Sequence, residues 1–212
     1  MFIVLEGIDG SGKSTQARLL ADWLKEQEHE VVLTKEPGGT DIGRQIAGVI
    51  LDNNNKEMSP WTEIVLYAAD RAQHLAEVVI PSLQNGKTVI CSRYVWSSMA
   101  YQKDLMEEGH QYVSWYNTLA WGEAKPDLVI FIDISVDEAM ARLKAERNMD
   151  RIEERGRAYY EQVRQNFLDL TTQYPCAIID SNGLNVQEVH EKIKEEVQKW
   201  LKSKSATEEQ CQ

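Results

Sequence analysis

A loop motif near the N-terminus constrains the fold more than any other feature of the sequence. Residues 7–14 read GIDGSGKS and fit the pattern GxxxxGK[ST] at every fixed position. They follow a largely apolar run, Phe2–Glu6, and precede a helical pattern that begins at Ser14. Glycines let backbone N–H groups turn inward around a phosphate, and a helix N-terminus adds the positive end of its dipole. The motif therefore predicts a strand–loop–helix unit that binds a nucleoside triphosphate.

Two side chains of this loop carry the chemistry. Lys13 supplies a positive charge for the β- and γ-phosphates, and the Ser14 hydroxyl is a candidate ligand for Mg²⁺. The residues assigned to the nucleotide are Gly7, Ile8, Asp9, Gly10, Ser11, Gly12, Lys13, Ser14 and Thr15.

Alternating strand and helix patterns place this loop in an α/β fold. Short apolar and β-branched runs predict buried parallel strands at Phe2–Glu6, Val31–Lys35, Thr88–Cys91, Leu128–Ile134 and Cys176–Asp180. Helical patterns cover Ser14–Glu28, Pro60–Leu83, Asp137–Arg147, Arg157–Gln173 and Val186–Lys202. We expect a doubly wound, five-stranded parallel sheet flanked by helices. The length favours one domain, residues 1–203, and residues 204–212 are predicted to be a disordered tail.

Composition restricts the class of partner. Lys and Arg number 23 against 34 Asp and Glu, so the formal charge is −11, which argues against binding nucleic acid polymers or anionic membranes. Three cysteines without CxxC spacing predict neither a disulfide framework nor a zinc site. The N-terminus lacks the basic segment of a signal peptide, and we see no apolar run of about 20 residues. We therefore expect a cytoplasmic protein.

Four motifs separate the classes of protein that use such a loop. The guanine-binding NKxD element of GTPases is absent, and motor ATPases and helicases are normally larger, so a small-molecule kinase fits better. The motifs EGIDGSGKST at 6–15, EPGGT at 36–40, YAADRAQ at 67–73 and SRYVWSSMAYQ at 92–102 resemble the thymidylate kinase family, in that order. The resemblance implies a homodimer that transfers phosphate from ATP, with Mg²⁺, to dTMP.

The resemblance also implies an acceptor pocket. Tyr67 and Arg71 lie four residues apart on one helix face, where the family stacks an aromatic ring on thymine and binds its rim with arginine. The family uses Arg93 to hold the acceptor phosphate, and the loop at Glu36, with Pro37 a candidate for a cis peptide bond, borders that phosphate. The resemblance further implies Asp9 toward the sugar 3′-hydroxyl, and Ser98, Tyr101 and Gln102 around the nucleoside. Arg44, about one helical turn after the loop, is a candidate to reach the phosphate, with a solvated helix charge as the alternative.

A charged stretch at about 142–157 is the expected lid segment. Position 10 is Gly, which matches the branch of the family that supplies its basic groups from the lid rather than from the loop. Lid arginines stabilise charge on the transferred phosphoryl group and exclude water. Among Arg142, Lys144, Arg147 and Arg151, we expect Arg147 or Arg151 to act in catalysis.

One residue departs from the family pattern. Ser92 stands where an Asp usually helps to hold Mg²⁺ and its waters. Ser92 can hold a water, and Glu6 or Glu36 is a candidate to compensate for the missing charge. The departure keeps two alternatives open: a kinase for another nucleoside or nucleotide, and a catalytically weak nucleotide-binding module.

Overall fold

The structure, a computed structural model, describes residues 1–146 and 149–210. For positions 110, 118–123, 146 and 205–210 only the backbone is considered. The strands are β1 (Phe2–Glu6), β2 (Val31–Lys35), β3 (Thr88–Ser92), β4 (Leu128–Asp133) and β5 (Ala177–Asp180). The helices are α1 (Lys13–Glu26), α2 (Asp41–Leu51), α3 (Pro60–His74), α4 (Ile80–Gln84), α5 (Val95–Tyr101), α6 (Gly109–Glu123), α7 (Val136–Glu146), α8 (Arg157–Gln173) and α9 (Val186–Gln210).

The five strands form one parallel sheet in the order β2-β3-β1-β4-β5, which confirms the predicted fold class. β1 is the central strand, with β2 and β3 on one side of it and β4 and β5 on the other. The loop after β1 therefore lies at the point where the strand order reverses. Ligands of open α/β sheets bind outside the carboxyl ends of the strands at such a point. The topology therefore places residues 7–14 at the expected ligand edge.

The two faces of the sheet bury different side chains, because successive residues of a strand point to opposite faces. In β1, Ile3 and Leu5 belong to the apolar cluster formed with α1 and α9. Phe2 and Val4 belong to a second cluster that includes residues of β3. Both faces of β1 are therefore covered, as the continuous apolar run predicts.

The long helix predicted over Pro60–Leu83 is divided. α3 ends at His74, a wider π-helical turn covers Leu75–Val79, and α4 continues from Ile80. Pro81 is the physical cause, because its nitrogen carries no hydrogen and its ring clashes with the carbonyl four residues earlier.

Three helices that the sequence patterns did not predict, α2, α5 and α6, surround the ligand edge. α2 has a recognisable start, since the Thr40 hydroxyl accepts a hydrogen bond from the Gly43 N–H at 2.8 Å. α9 continues to Gln210, beyond the predicted domain end at residue 203. Every described helix is too short or too polar to cross a membrane.

Candidate active site

The phosphate loop joins β1 to α1 with the geometry that its glycines allow. Gly10 and Gly12 have φ angles of 80° and 88°. A Cβ on Gly10 would lie 2.4 Å from the carbonyl oxygen of Ala139 in α7, so a side chain at position 10 would displace the neighbouring helix. The structure thus gives a packing reason for glycine at this position.

Lys13 is the first residue of α1, and its side chain reaches back to the phosphate loop. Its Nζ donates to the Ile8 carbonyl oxygen at 2.6 Å and to Ser11 Oγ at 3.3 Å. Burial and the nearby Arg93 charge lower the pKa of Lys13 to about 7. An anionic phosphate beside the ammonium would favour its charged form, so the site is prepared for such a ligand.

Two cavities meet at the end of β1. The larger, of about 550 Å³, follows the phosphate loop and extends to α7 and the start of α9. The smaller, of about 190 Å³, lies between the loops that follow β2 and β3. Asp9, Ser14 and Arg93 line both cavities. A group transferred from one cavity to the other would therefore pass these three side chains.

The smaller cavity brings together most of the predicted acceptor residues. Its lining includes Asp9, Glu36, Tyr67, Arg71, Arg93, Ser98, Tyr101 and Gln102. Arg44 is elsewhere: its side chain is largely exposed and forms an ion pair with Asp41, one turn earlier on α2. In the described structure, Arg44 is not part of the lining of this cavity.

Arg71 is buried and fully engaged. Its Nε donates to Glu36 at 2.8 Å, and its Nη1 donates to Ser98 Oγ at 3.0 Å and Asn117 Oδ1 at 2.7 Å. His74 Nδ1 lies 2.9 Å from the second oxygen of Glu36. Burial alone raises the pKa of Glu36, but the Arg71 charge and the His74 hydrogen bond outweigh it and lower that pKa. The Glu36 carboxylate is thus committed to holding Arg71, and the Glu36–Pro37 peptide bond is cis.

Arg93 has a left-handed backbone conformation, with a φ angle of 72°. Its guanidinium donates to the Gly7 carbonyl oxygen at 3.2 Å and forms an ion pair with Asp9. Non-glycine residues in this conformation are strained, and such strain persists only where surrounding contacts impose it. Those contacts aim Arg93 at the junction of the two cavities.

Glu6, at the end of β1, binds the residues that follow Arg93. The carboxylate accepts hydrogen bonds from the Tyr94 N–H at 2.8 Å and from Ser97 Oγ at 2.6 Å, and Arg93 in turn donates to Ser97 Oγ at 3.2 Å. Burial raises the pKa of Glu6. Glu6 therefore binds the start of α5, and Glu36 binds Arg71, so both acids considered as replacements for a charge at position 92 already have partners.

Ser92 lines the smaller cavity together with Ser14. Its neighbour on β2 is Lys35, which pairs with it in the sheet register and lines the same cavity. No cluster of three or more His, Cys, Asp or Glu side chains suited to a metal occurs among the described residues. Mg²⁺ keeps several waters and binds few protein groups besides substrate phosphates, so the Ser14 hydroxyl between the two cavities fits that ion.

The lid segment contacts the acceptor side of the site. Arg151 donates to the Ile50 carbonyl oxygen and to Glu63 Oε2, each at 2.7 Å, and Arg155 binds the same carboxylate. Arg142 lines the larger cavity and pairs with Glu138. Arg147 lies outside the described residues.

Several residues of the site were not predicted from the sequence. Lys35, Asp150 and Ile152 line the smaller cavity, Asn117 binds Arg71, and Tyr160 binds Asp9. Lys35 had a detectable signal, because it stands next to Glu36 at the end of a predicted strand. Asn117 and Tyr160 had none, since their positions depend on how α6 and α8 pack.

A phosphate loop whose cavity adjoins a second, smaller cavity for an acceptor defines a P-loop kinase of small molecules. The model of the family "Thymidylate kinase" matches residues 5–193. The chain is 42% identical to the thymidylate kinase of an Exiguobacterium species over 84% of each chain. It is 41% identical to that of Symbiobacterium thermophilum over 95% of this chain and 94% of the relative.

A solved structure agrees with these relatives. The crystal structure of thymidylate kinase from Ehrlichia chaffeensis matches with a TM-score of 0.76 and 29% identity, covering 93% of this chain and 98% of that one. The chain therefore belongs to the thymidylate kinase family, and it is a nucleoside monophosphate kinase.

Proposed function

We propose that the protein transfers the γ-phosphoryl group of ATP to dTMP, giving ADP and dTDP. An oxygen of the dTMP phosphate forms the new bond to the γ-phosphorus, and the bond between that phosphorus and the β,γ-bridging oxygen of ATP breaks. The observation that carries the proposal is the pair of cavities that share Asp9, Ser14 and Arg93. Such transfer depends on positioning and on electrostatic stabilisation, and both require the two nucleotides to meet at one point.

On the donor side, residues 7–15 hold the ATP phosphates through backbone N–H groups, and Lys13 binds the β- and γ-phosphates. Ser14 ligates Mg²⁺, which when bound neutralises charge on those phosphates. The support is the position of Ser14 in the lining of both cavities.

On the acceptor side, Tyr67 stacks on the thymine while Arg71 and Ser98 bind its rim. Because the Arg71 guanidinium already donates to protein acceptors in the described structure, thymine must replace one of them. Tyr101 packs on the deoxyribose, Gln102 completes the nucleoside pocket, and Asp9 accepts from the 3′-hydroxyl. Arg93 holds the acceptor phosphate, with Glu36 and Arg44 bordering it. The support is that these residues, except Arg44, line one cavity.

The lid contributes Arg147 or Arg151 to the transition state. In the described structure the Arg151 guanidinium is bound to Glu63, so a catalytic Arg151 must exchange that carboxylate for a phosphate. Arg155 also binds Glu63, so the carboxylate would keep one arginine after such an exchange.

We further propose a cytoplasmic homodimer that binds neither membranes nor nucleic acid polymers. Exposed apolar side chains concentrate on three adjacent helices, α2, α3 and α6. They are Ile42, Val49, Trp61, Val65 and Trp115, each between 44% and 68% exposed. An interface on these helices would remove that surface from water. Light scattering should give twice the chain mass, and a monomer across the working concentration range would exclude the dimer.

The acceptor is tested by steady-state phosphorylation with MgATP and a panel of dTMP, dUMP, dGMP and thymidine. We expect the highest kcat/KM for dTMP and no phosphorylation of thymidine, which lacks the accepting phosphate. A preference for dUMP or dGMP would assign a different kinase activity. Binding of dTMP without turnover would indicate a nucleotide-binding module instead.

A further inference from the structure

A tyrosine on the helix that follows the lid segment reaches the acid of the phosphate loop. Tyr160 lies in the first turns of α8, and its hydroxyl donates to Asp9 Oδ2 at 3.0 Å. The side chain is buried, and its ring lies edge-on to the rings of Tyr101 and Tyr159. Core packing therefore fixes the ring, and the ring fixes the direction of the hydroxyl.

The Asp9 carboxylate is held at both oxygens. Oδ2 accepts from Tyr160 and also from the Tyr101 hydroxyl at 2.9 Å, while Oδ1 forms the ion pair with Arg93. Each carboxylate oxygen has two lone pairs, so two tyrosine hydroxyls fill Oδ2. Rotation of the carboxylate would break one or more of these bonds, and Asp9 is consequently confined to one orientation.

That orientation matters because Arg93 depends on it. The Arg93 backbone is in the left-handed region, and its guanidinium lies 5.0 Å from the centre of the Tyr101 ring, in the wall shared by the two cavities. A flexible side chain on a strained residue keeps a precise position only where rigid partners define it. Asp9 is such a partner when its own carboxylate cannot turn.

We propose that Tyr160 is a positioning residue for phosphoryl transfer: its hydroxyl fixes the Asp9 carboxylate, which holds the Arg93 guanidinium at the junction of the two cavities. The inference rests on the proposed kinase reaction. Asp150 and Ile152, which line the acceptor cavity, lie between α7 and α8. Because α8 begins shortly after these residues, the Tyr160 hydroxyl also links the helix that follows the lid segment to the phosphate loop.

The test removes one oxygen atom. Tyr160→Phe should lower kcat about tenfold while both KM values stay within about twofold, because a misplaced Arg93 weakens the transition state more than either ground state. Tyr159→Phe is the matched control: its hydroxyl binds the Tyr101 carbonyl oxygen and Arg155 rather than Asp9, and kcat should change less than about twofold. Rates are normalised to ATP-binding sites counted by calorimetry, so misfolded protein does not enter the comparison.

A double-mutant cycle separates this role from a general effect on packing. In an Asp9→Asn background, Tyr160→Phe should lower kcat less than about twofold, because the group through which it acts is already altered. An unchanged kcat in the single variant, or a full tenfold loss in the Asp9→Asn background, would overturn the inference. A wild-type protein that does not phosphorylate dTMP would instead overturn the proposed function, and the Tyr160 ratios would then be measured with the acceptor it does use.

Discussion

The donor and acceptor sides of the site are built on different principles. The donor side is one continuous segment, residues 7–15, in which turning backbone and a helix N-terminus provide most of the binding groups. The acceptor side collects side chains from the ends of β2 and β3, from α3, α5 and from the lid segment. Three of its arginines already have carboxylate partners in the structure: Arg71 with Glu36, Arg93 with Asp9, and Arg151 with Glu63.

This difference predicts how each side responds to change. The donor segment binds mainly through its backbone, so removing one side chain removes a charge but leaves the shape of the loop unchanged. A network of buried ion pairs loses shape as well, because removing one partner leaves the other buried and uncompensated. Substitutions in the donor segment, or at the junction of the two cavities where Arg93 lies, should therefore act on rate. Substitutions of acceptor-side residues away from that junction should act on the binding of one substrate.

The largest effect should come from the donor side. Lys13→Ala removes the charge that we propose binds the β- and γ-phosphates, so kcat for dTMP phosphorylation should fall about a thousandfold. Circular dichroism and thermal unfolding should show a fold close to wild type. Lys25→Ala, at an exposed position of α1, is the matched control and should keep wild-type turnover. Turnover near the wild-type rate in Lys13→Ala would refute both the kinase assignment and the division between the two sides.

The same contrast explains what was predictable from the sequence. The phosphate loop is local, since its motif, its strand and its helix are neighbours in the chain, and all three were predicted. The burial of β1 on both faces followed from its continuous apolar run. The acceptor residues became recognisable only through resemblance to a family, because residues such as Glu36, Arg71 and Arg93 are brought together by the fold.

The remaining parts of the site depend on packing that a local pattern does not encode. α5 has seven residues and no side-chain cap of its own. At its start, the N–H groups of Tyr94 and Ser97 donate to Glu6, from a distant strand. Tyr160 is one of several aromatic residues on α8, and only the packed structure shows that its hydroxyl meets Asp9. The sequence likewise shows no reason why Arg151 binds Glu63, 88 positions earlier.

An intermediate effect is expected on the acceptor side. Arg71→Ala should weaken dTMP binding by about 2 kcal/mol, because a buried site loses a hydrogen-bond donor and Glu36 loses its partner. Affinity for ATP, which we propose binds in the other cavity, should change much less. Calorimetric titration with each nucleotide measures both values, and Arg18→Ala on the exposed side of α1 is the matched control. Equal losses for dTMP and ATP would show that the two sides are not separable.

Ser92 lies on the boundary between the two sides, so the smallest predicted effect tests how sharp that boundary is. It shares a cavity with Ser14 from the donor side and with Lys35 from the acceptor side. Among the described residues Lys35 forms no ion pair, while Glu6 and Glu36 are bound elsewhere. Within the described part of the chain, the surroundings of Ser92 therefore contain a lysine, Lys35, that forms no ion pair, and a carboxylate at position 92 would not displace an existing one.

We accordingly expect Ser92→Asp to lower the Mg²⁺ concentration for half-maximal rate about threefold, or to raise kcat by a similar factor. A carboxylate beside the phosphates orders metal-bound waters more strongly than a hydroxyl does, because it carries a full charge. Asn has nearly the same shape as Asp but no charge, so Ser92→Asn should behave like the wild type. Rates measured as a function of Mg²⁺ concentration for the three proteins test this prediction.

A clear loss of activity in Ser92→Asp, with Ser92→Asn unaffected, would contradict it. That result would mean that the Lys35 charge serves the acceptor phosphate and that an acid at position 92 neutralises it. The site would then be adapted to serine at position 92, and Ser92 would belong to the acceptor side.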